Sequence, residues 1–477
     1  LNRNTWQELL VELRKMVSLS MPIIIAQIGS VFMGIIDNMM VGDLGEVPLA
    51  AAGVANPIFF LLASIGIGIF SAISPLVAKE YSETGSKKKC GYILFAGMKL
   101  SIVVGALITA ALLLIAANFD IFRQSKEVEI EARPYLQVIA TSAVPMMFFL
   151  AVKHFSDGLS IVWPAMIITI VGLVANVFGN WVLIYGNLGF SPMGLYGSGL
   201  STLIARVLMA CLMIVYVLES KHFRDYIPNI LKPVPTREWS RRILRLGLPS
   251  GMQYFFELGA FTGAAILAGW IGVTSLAAHN VIFSIATFTY MVAAGVSFAG
   301  AIRVGIQAGK QSYYKVRVAG FASILLVSIL MLVSASLLIL FAEPVIRLYT
   351  HEQEVVEFAS AVIFIFMFYQ LFDGIQAVGV GILRGIFDVN VPTFITIFAY
   401  WVVCLPVACL LANKIDWITV LSWAGEILPP AEVNKYRLMG LWIGLTAGLG
   451  VSATLLTARF YLLTREDYLP LIEKKTV

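Results

Sequence analysis

Three carboxylates stand inside runs of apolar residues. Asp37 lies in Gly34-Ile-Ile-Asp37-Asn38-Met-Met, Glu257 in Gln253-Tyr-Phe-Phe-Glu257-Leu-Gly, and Asp373 in Tyr369-Gln370-Leu-Phe-Asp373-Gly374-Ile-Gln376. An ionised side chain at mid-bilayer costs about 2.5–3.5 kcal/mol on insertion scales, so each must face protein or water, and each is a functional candidate. Asn176 and Asn180 are four residues apart and share a helix face. With Thr202 and Asp37 they offer a carboxylate, two amide oxygens and a hydroxyl. That set suits a hard cation, or a proton held on Asp37. Tyr369 and Asp373 share a face in the same way, as do Gln253 and Glu257. Counted from the nearer ends of their runs, Glu257 and Asp373 reach a similar depth, roughly 16–21 Å. Two acids at one level in one bundle can share a proton or bind Na⁺.

The elements that must hold these groups are membrane helices. Hydrophobic residues are 59% of the 477 and charged residues only 13%, against roughly 25% charged in soluble domains. Lipid must therefore be the main solvent. A helix needs roughly 20 apolar residues to cross the bilayer core. Runs of that length are predicted near 17–41, 49–77, 92–117, 134–152, 163–185, 195–218, 244–270, 275–302, 318–341, 355–380, 392–412 and 437–461. The fold class is all-α integral membrane, with twelve transmembrane helices. Lys87, Lys88, Lys89, Arg237, Arg241, Arg242, Arg245, Lys310 and Lys315 fall on one set of loops, and the alternate loops carry far fewer cations. The positive-inside rule then places both termini and the long 221–243 connector in the cytoplasm, as expected of a multi-pass cytoplasmic-membrane protein.

The chain also repeats itself. Shifted by 227, Leu19 and Pro22 fall on Leu246 and Pro249, and Gly42-x₂-Gly45-x₃-Leu49-Ala50-Ala51 falls on Gly269-x₂-Gly272-x₃-Leu276-Ala277-Ala278. Each repeat holds six spans, so both halves enter the membrane in the same direction and form two pseudo-symmetric bundles. The expected domains are residues 1–220, a cytoplasmic connector 221–243, and 244–477. The acids do not repeat. Asp37 falls on Ala264, Glu257 on Ser30 and Asp373 on Met146. A packing scaffold is needed by both halves, whereas unrepeated charges mark separate tasks.

Other polar residues carry less. Lys99 is near enough to a span end to snorkel. Arg206 lies deeper, with no partner legible in the sequence. Arg303, Arg384 and Asp157 read as anchors at span ends, and His279 as structural. Gln253, Tyr254, Phe256, Phe288 and Gln376 are candidates to line an apolar, aromatic cleft. The four cysteines lack CxxC spacing, so neither a metal centre nor a disulfide framework is indicated. No basic face with aromatics suggests nucleic acid. Gly305-x₃-Gly309-Lys310-Gln311 has the wrong spacing for a phosphate-binding loop, so ATP is not expected to be the energy source.

From about residue 17 to 463 the chain resembles the multidrug and toxic compound extrusion (MATE) family, in particular its NorM-like branch. The strings that carry the resemblance are Leu19-Ser-Met-Pro22, Asp37-x₄-Gly42-x₂-Gly45, Leu276-Ala-Ala-His279, Tyr369-Gln370-Leu-Phe-Asp373 and Leu383-Arg384-Gly385-x₂-Asp388-x₃-Pro392. The resemblance implies two six-helix lobes in a V, acting as a monomer, and an antiport cycle driven by Na⁺ or H⁺. Asp37, Asn176, Asn180 and Thr202 match the amino-terminal-lobe site. Glu257, Asp373 and Tyr369 match the carboxy-terminal-lobe cation site, and Pro22 matches a first-helix proline held to let that helix bend. Asn180 stands where some members carry a second Asp. The 413–435 loop, with Trp417 and Trp423, looks longer than is usual in the family.

The resulting expectation is a carrier rather than an enzyme, with no organic cofactor. It would export lipophilic, often cationic compounds by alternating access. The alternatives are a lipid-linked oligosaccharide flippase of the same superfamily, which favours a basic cleft, and a receptor or channel that does not transport against a counter-ion.

Overall fold

The structure is a computed structural model that describes residues 3–227, 235–414 and 430–465. The long apolar runs all form helices. Among the described residues twelve are long and apolar enough to cross a membrane: α1 (Trp6–Gly42), α2 (Glu46–Thr84), α3 (Lys87–Ala117), α4 (Lys126–Gly158), α5 (Trp163–Leu183), α6 (Gly194–Glu219), α7 (Thr236–Ile271), α8 (Val273–Gly309), α9 (Tyr313–Leu340), α10 (Gln353–Gly385), α11 (Asn390–Ala412) and α12 (Glu432–Leu463). Several outrun their apolar cores. Helix α7 begins at Thr236, inside the predicted connector, because Thr-Arg-Glu-Trp-Ser-Arg-Arg contains no helix breaker. Most of the predicted 413–435 loop, with Trp417 and Trp423, lies outside the described residues.

Prolines set the local departures from regular helix. In α2 and α4 the helix is interrupted at Ala72 and Ser142, three residues ahead of Pro75 and Pro145. A proline supplies no N–H to the carbonyl four residues back. The hydroxyl of Ser71 donates to the Gly68 carbonyl at 2.7 Å and that of Ser142 to the Ile139 carbonyl at 2.5 Å. In α11, Pro406 leaves the Val402 carbonyl without its usual donor. The chain widens to π-helix over Ala399–Cys404 and again over Leu410–Lys414. Helix α1, by contrast, continues through Pro22 without a break.

The chain divides into two compact units: Leu1–Ser20 with Phe256–Val304 and Tyr313–Val477, and Met21–Phe255 with Gly305–Ser312. Three of the four dividing lines fall inside α1, α7 and α8, and the fourth falls at the start of α9. In the first unit, Gly440, Gly444 and Gly448 recur every four residues on α12. A Cβ on Gly444 would stand 2.3 Å from the Ala408 backbone nitrogen, and one on Gly448 would stand 2.3 Å from the Cys404 Cβ. Such spacing lets two membrane helices pack backbone to backbone, and it seats α12 along α11 from Ala399 in its first π-helical stretch to Leu411 in its second. In the second unit, Gly247 of α7 meets the Ile69 backbone of α2 in the same manner. The amino-terminal part of α1 is held within the first unit. There Arg303 donates to both oxygens of Glu12, from Nε at 2.7 Å and from a terminal nitrogen at 2.8 Å.

Candidate functional site

In the second unit, α1, α5 and α6 bring Asp37, Asn176, Asn180 and Thr202 together, and all four are buried. Asn180 Nδ2 donates to Asp37 Oδ1 at 2.5 Å, and Thr202 Oγ1 donates to Asp37 Oδ2 at 3.2 Å. Asn176 Nδ2 donates to Thr202 Oγ1 at 3.3 Å. The i, i+4 spacing on α5 sets both amides at one wall, while α6 supplies the hydroxyl. The amide oxygens of Asn176 and Asn180 are buried with no hydrogen-bond partner.

Arg206 lies one turn beyond Thr202 on α6. Its guanidinium donates to Ser142 Oγ at 2.6 Å and sits 4.6 Å from the centre of the Phe59 ring. It is also close enough to Asp37 and Tyr135 to interact with both electrostatically. Tyr135 in turn donates to Asn56 Oδ1 at 3.0 Å. None of these groups was legible as a partner in the sequence. The i, i+4 spacing of Thr202 and Arg206 is the one local signal that points to them.

In the first unit a second cluster is built from α7, α10 and α11. Tyr400 donates its hydroxyl to Glu257 Oε1 at 3.1 Å. Glu257, Asp373, Tyr369 and Tyr400 lie close enough to interact electrostatically, and all four are buried. Asp373 Oδ1 has no hydrogen-bond partner, and neither amide atom of Gln370, one turn earlier on α10, has one. Tyr369 stacks on Phe366 and meets Trp442 edge-on with ring centres 5.1 Å apart. His279 is buried beside Phe283 and Trp442. Tyr400 was missed by sequence reasoning. Its place depends on the π-helical stretch of α11, and such stretches often mark functional sites.

The five residues expected to line a cleft divide between the units. Gln253 and Tyr254 belong to the second, and Phe256, Phe288 and Gln376 to the first. The Phe256 ring meets Trp401 edge-on, and Trp401 Nε1 donates to the Phe256 carbonyl at 3.0 Å. Gln376 is buried and its Oε1 has no partner. The span-end anchors read from sequence have partners: Arg303 on Glu12, and Asp157 on Lys153 at 3.0 Å.

The first cluster offers carboxylate, amide and hydroxyl oxygens, and the second offers carboxylate, amide and phenol oxygens. Among the described residues no three His, Cys, Asp or Glu side chains converge on one point. A bound ion would therefore draw on neutral oxygens as well. That donor set fits a hard monovalent cation or a proton better than a thiolate- or imidazole-seeking metal.

Twelve apolar helices, an internal six-helix repeat and two buried acid clusters define a polytopic carrier-like membrane protein. The MatE family model matches the chain twice, over residues 22–182 and 249–410. The matched stretches begin 227 residues apart, which is the offset read from the repeat. The chain belongs to the MatE family. It is 31% identical to the multidrug resistance protein NorM of Aliivibrio fischeri over 458 residues, covering 95% of each chain. It is also 31% identical to the multidrug resistance protein MdtK of Proteus mirabilis, covering 97% of this chain and 98% of that one. Its fold is similar to that of the eukaryotic MATE transporter AtDTX14, with a TM-score of 0.85 at 20% identity over 98% of this chain and 100% of that one. A transporter of the MOP superfamily from Pyrococcus furiosus gives a TM-score of 0.83 at 20% identity, covering 95% of this chain and 96% of that one.

Proposed function

We propose that this protein is an antiporter of the cytoplasmic membrane that expels lipophilic, often cationic organic compounds in exchange for Na⁺ or H⁺. The observation that carries the reading is the pair of acids in the first unit. Asp373 and Glu257 are buried within electrostatic reach of each other, and Asp373 keeps an oxygen with no hydrogen-bond partner. Two carboxylates buried together are costly to ionise, and a visiting cation or proton relieves that cost. In the exchange cycle an external ion loads the acids, the access path turns inward, and the ion leaves. The freed carboxylates then draw in a cationic substrate, with aromatic faces adding cation–π contact. Coupling requires that ion and substrate prefer different states. Membership of the MatE family, and relatives named for multidrug resistance, support the export of drugs.

Proteoliposomes with imposed Na⁺ or pH gradients test this directly. Asp37→Asn, Glu257→Gln and Asp373→Asn should fold and insert yet lose gradient-driven efflux. Wild-type efflux from all three single variants would overturn the site. Substrate movement that ignores both gradients would instead favour a channel or flippase.

A further inference from the structure

We propose that the second unit carries a binding site for an anionic phospholipid headgroup at its cytoplasmic edge, between α3 and the start of α7. A cavity of about 570 Å³ lies there, lined by Lys99, Arg237 and Arg241 together with Leu100, Val103 and Leu244. A second cavity of about 500 Å³ shares Arg241 and adds Arg242, Arg245 and one acid, Glu238.

Three observations point to a lipid. The first is that the cations are uncommitted. Nearby Lys87 is paired with Asp225 at 2.7 Å and Lys89 with Glu80 at 3.0 Å. Lys99, Arg237, Arg241 and Arg245 form no ion pair among the described residues, in spite of Glu238. The second is the level at which the charges stand. Lys99 is the last charged residue of α3 before the apolar run Leu100–Ala117. Arg237, Arg241 and Arg245 are spaced four apart on one face of α7 and precede the apolar run from Leu246. Cations on both helices thus mark the depth at which phosphates lie, given the cytoplasmic orientation that the basic loops imply. The third is what continues inward from them. Ile102, Val103 and Leu107 on α3 are 53%, 50% and 65% exposed and form an open apolar strip below the cations. A basic mouth over an exposed apolar strip is complementary to a phosphate headgroup with its acyl chains. Basic pockets between membrane helices on that side are known to take anionic headgroups.

The site is independent of the exchange mechanism, and binding is read without transport. The test titrates the full-length protein in neutral detergent with short-chain phosphatidylglycerol, short-chain phosphatidylcholine and inorganic phosphate. The wild type should bind phosphatidylglycerol about tenfold more tightly than phosphatidylcholine, in keeping with the attraction of a few basic side chains for an anionic lipid. The variant Lys99→Gln/Arg237→Gln/Arg241→Gln should lose that preference. Arg241→Gln alone, common to both cavities, should reduce it about threefold. Lys88→Gln/Lys221→Gln/Arg224→Gln removes the same charge outside the cavities and should keep it. An undiminished preference in the cavity variants, an equal loss in the control variant, or phosphate binding as tightly as phosphatidylglycerol would each overturn the assignment.

Discussion

Asp37 accepts hydrogen bonds on both of its oxygens, yet the two amides beside it keep oxygens that no donor reaches. Buried polar atoms without partners are rare, and each asks for a cause. On the proposed exchange reading, a visiting ion would coordinate the oxygens of Asn176 and Asn180 here, and those of Asp373 and Gln370 in the first unit. Tyr400 gives a residue-level test. Its hydroxyl donates to Glu257, and a hydrogen bond to a charged group is worth about 1.5–3 kcal/mol. Tyr400→Phe removes the donor and keeps the ring. We expect Na⁺ to bind roughly tenfold differently from the wild type with little loss of thermal stability, as measured by calorimetry on the purified protein. An unchanged ion affinity would take Tyr400 out of the site. Arg206 tests the other unit. It interacts with Asp37 electrostatically while its hydrogen bond goes to Ser142. Arg206→Gln should alter proton- or Na⁺-driven efflux without abolishing insertion, and the pH profile of efflux should shift.

Elements set these residues in place through close approach and through proline. The Gly440, Gly444 and Gly448 stripe brings α12 against α11 at backbone distance, which keeps the π-helical stretch and Tyr400 in register. Inserting a side chain there must push two helices apart, and overpacking of this kind costs typically 1–3 kcal/mol. Gly444→Val should therefore lower the thermal unfolding midpoint by several degrees and reduce ion affinity together. A change in stability alone would separate the stripe from the site. At the amino-terminal end of α1, the Glu12–Arg303 pair is largely buried, with side chains 9% and 13% exposed. Removing one partner of a buried pair leaves a charge uncompensated. Glu12→Gln should accordingly destabilise more than any change at the exposed Lys87–Asp225 pair, where solvent screens the charges. At that exposed pair the Lys87 ammonium still holds the Asp225 carboxyl below the usual carboxylate range.

At the scale of the molecule, the acids are divided between two units that the chain crosses inside α1, α7 and α8 and at the start of α9. Exchange requires ligands that compete through a shared conformational equilibrium, and such coupling is reciprocal. If Na⁺ weakens substrate binding by some factor, substrate must weaken Na⁺ binding by the same factor. Couplings of this type are commonly about 5–150-fold. Titrating a cationic dye into the protein in nanodiscs, with Na⁺ or K⁺ at fixed pH, should show Na⁺ weakening the dye within that range. The effect should vanish in Asp373→Asn. Equal dye affinity in both salts at every pH tested, together with no effect of pH, would remove ion coupling altogether.

The lengths of the apolar runs, with the matches at a 227-residue offset, were enough to determine twelve helices, their six-plus-six repeat and the acids that interrupt them. Burying an ionised group in lipid is so costly that a lone carboxylate in an apolar run identifies itself. The i, i+4 rule likewise foretold the shared faces of Asn176 and Asn180 and of Tyr369 and Asp373. What only the tertiary structure decided is which distant residues meet. Tyr400 reaches Glu257 from 143 positions away through a π-helical stretch, and Arg206 reaches across 64 positions to Ser142. A helical period reports which face a residue occupies. It carries no information on which other helix that face will touch, because in lipid that choice rests on the close fit of small residues and on hydrogen bonds between helices, both set only when the bundle packs.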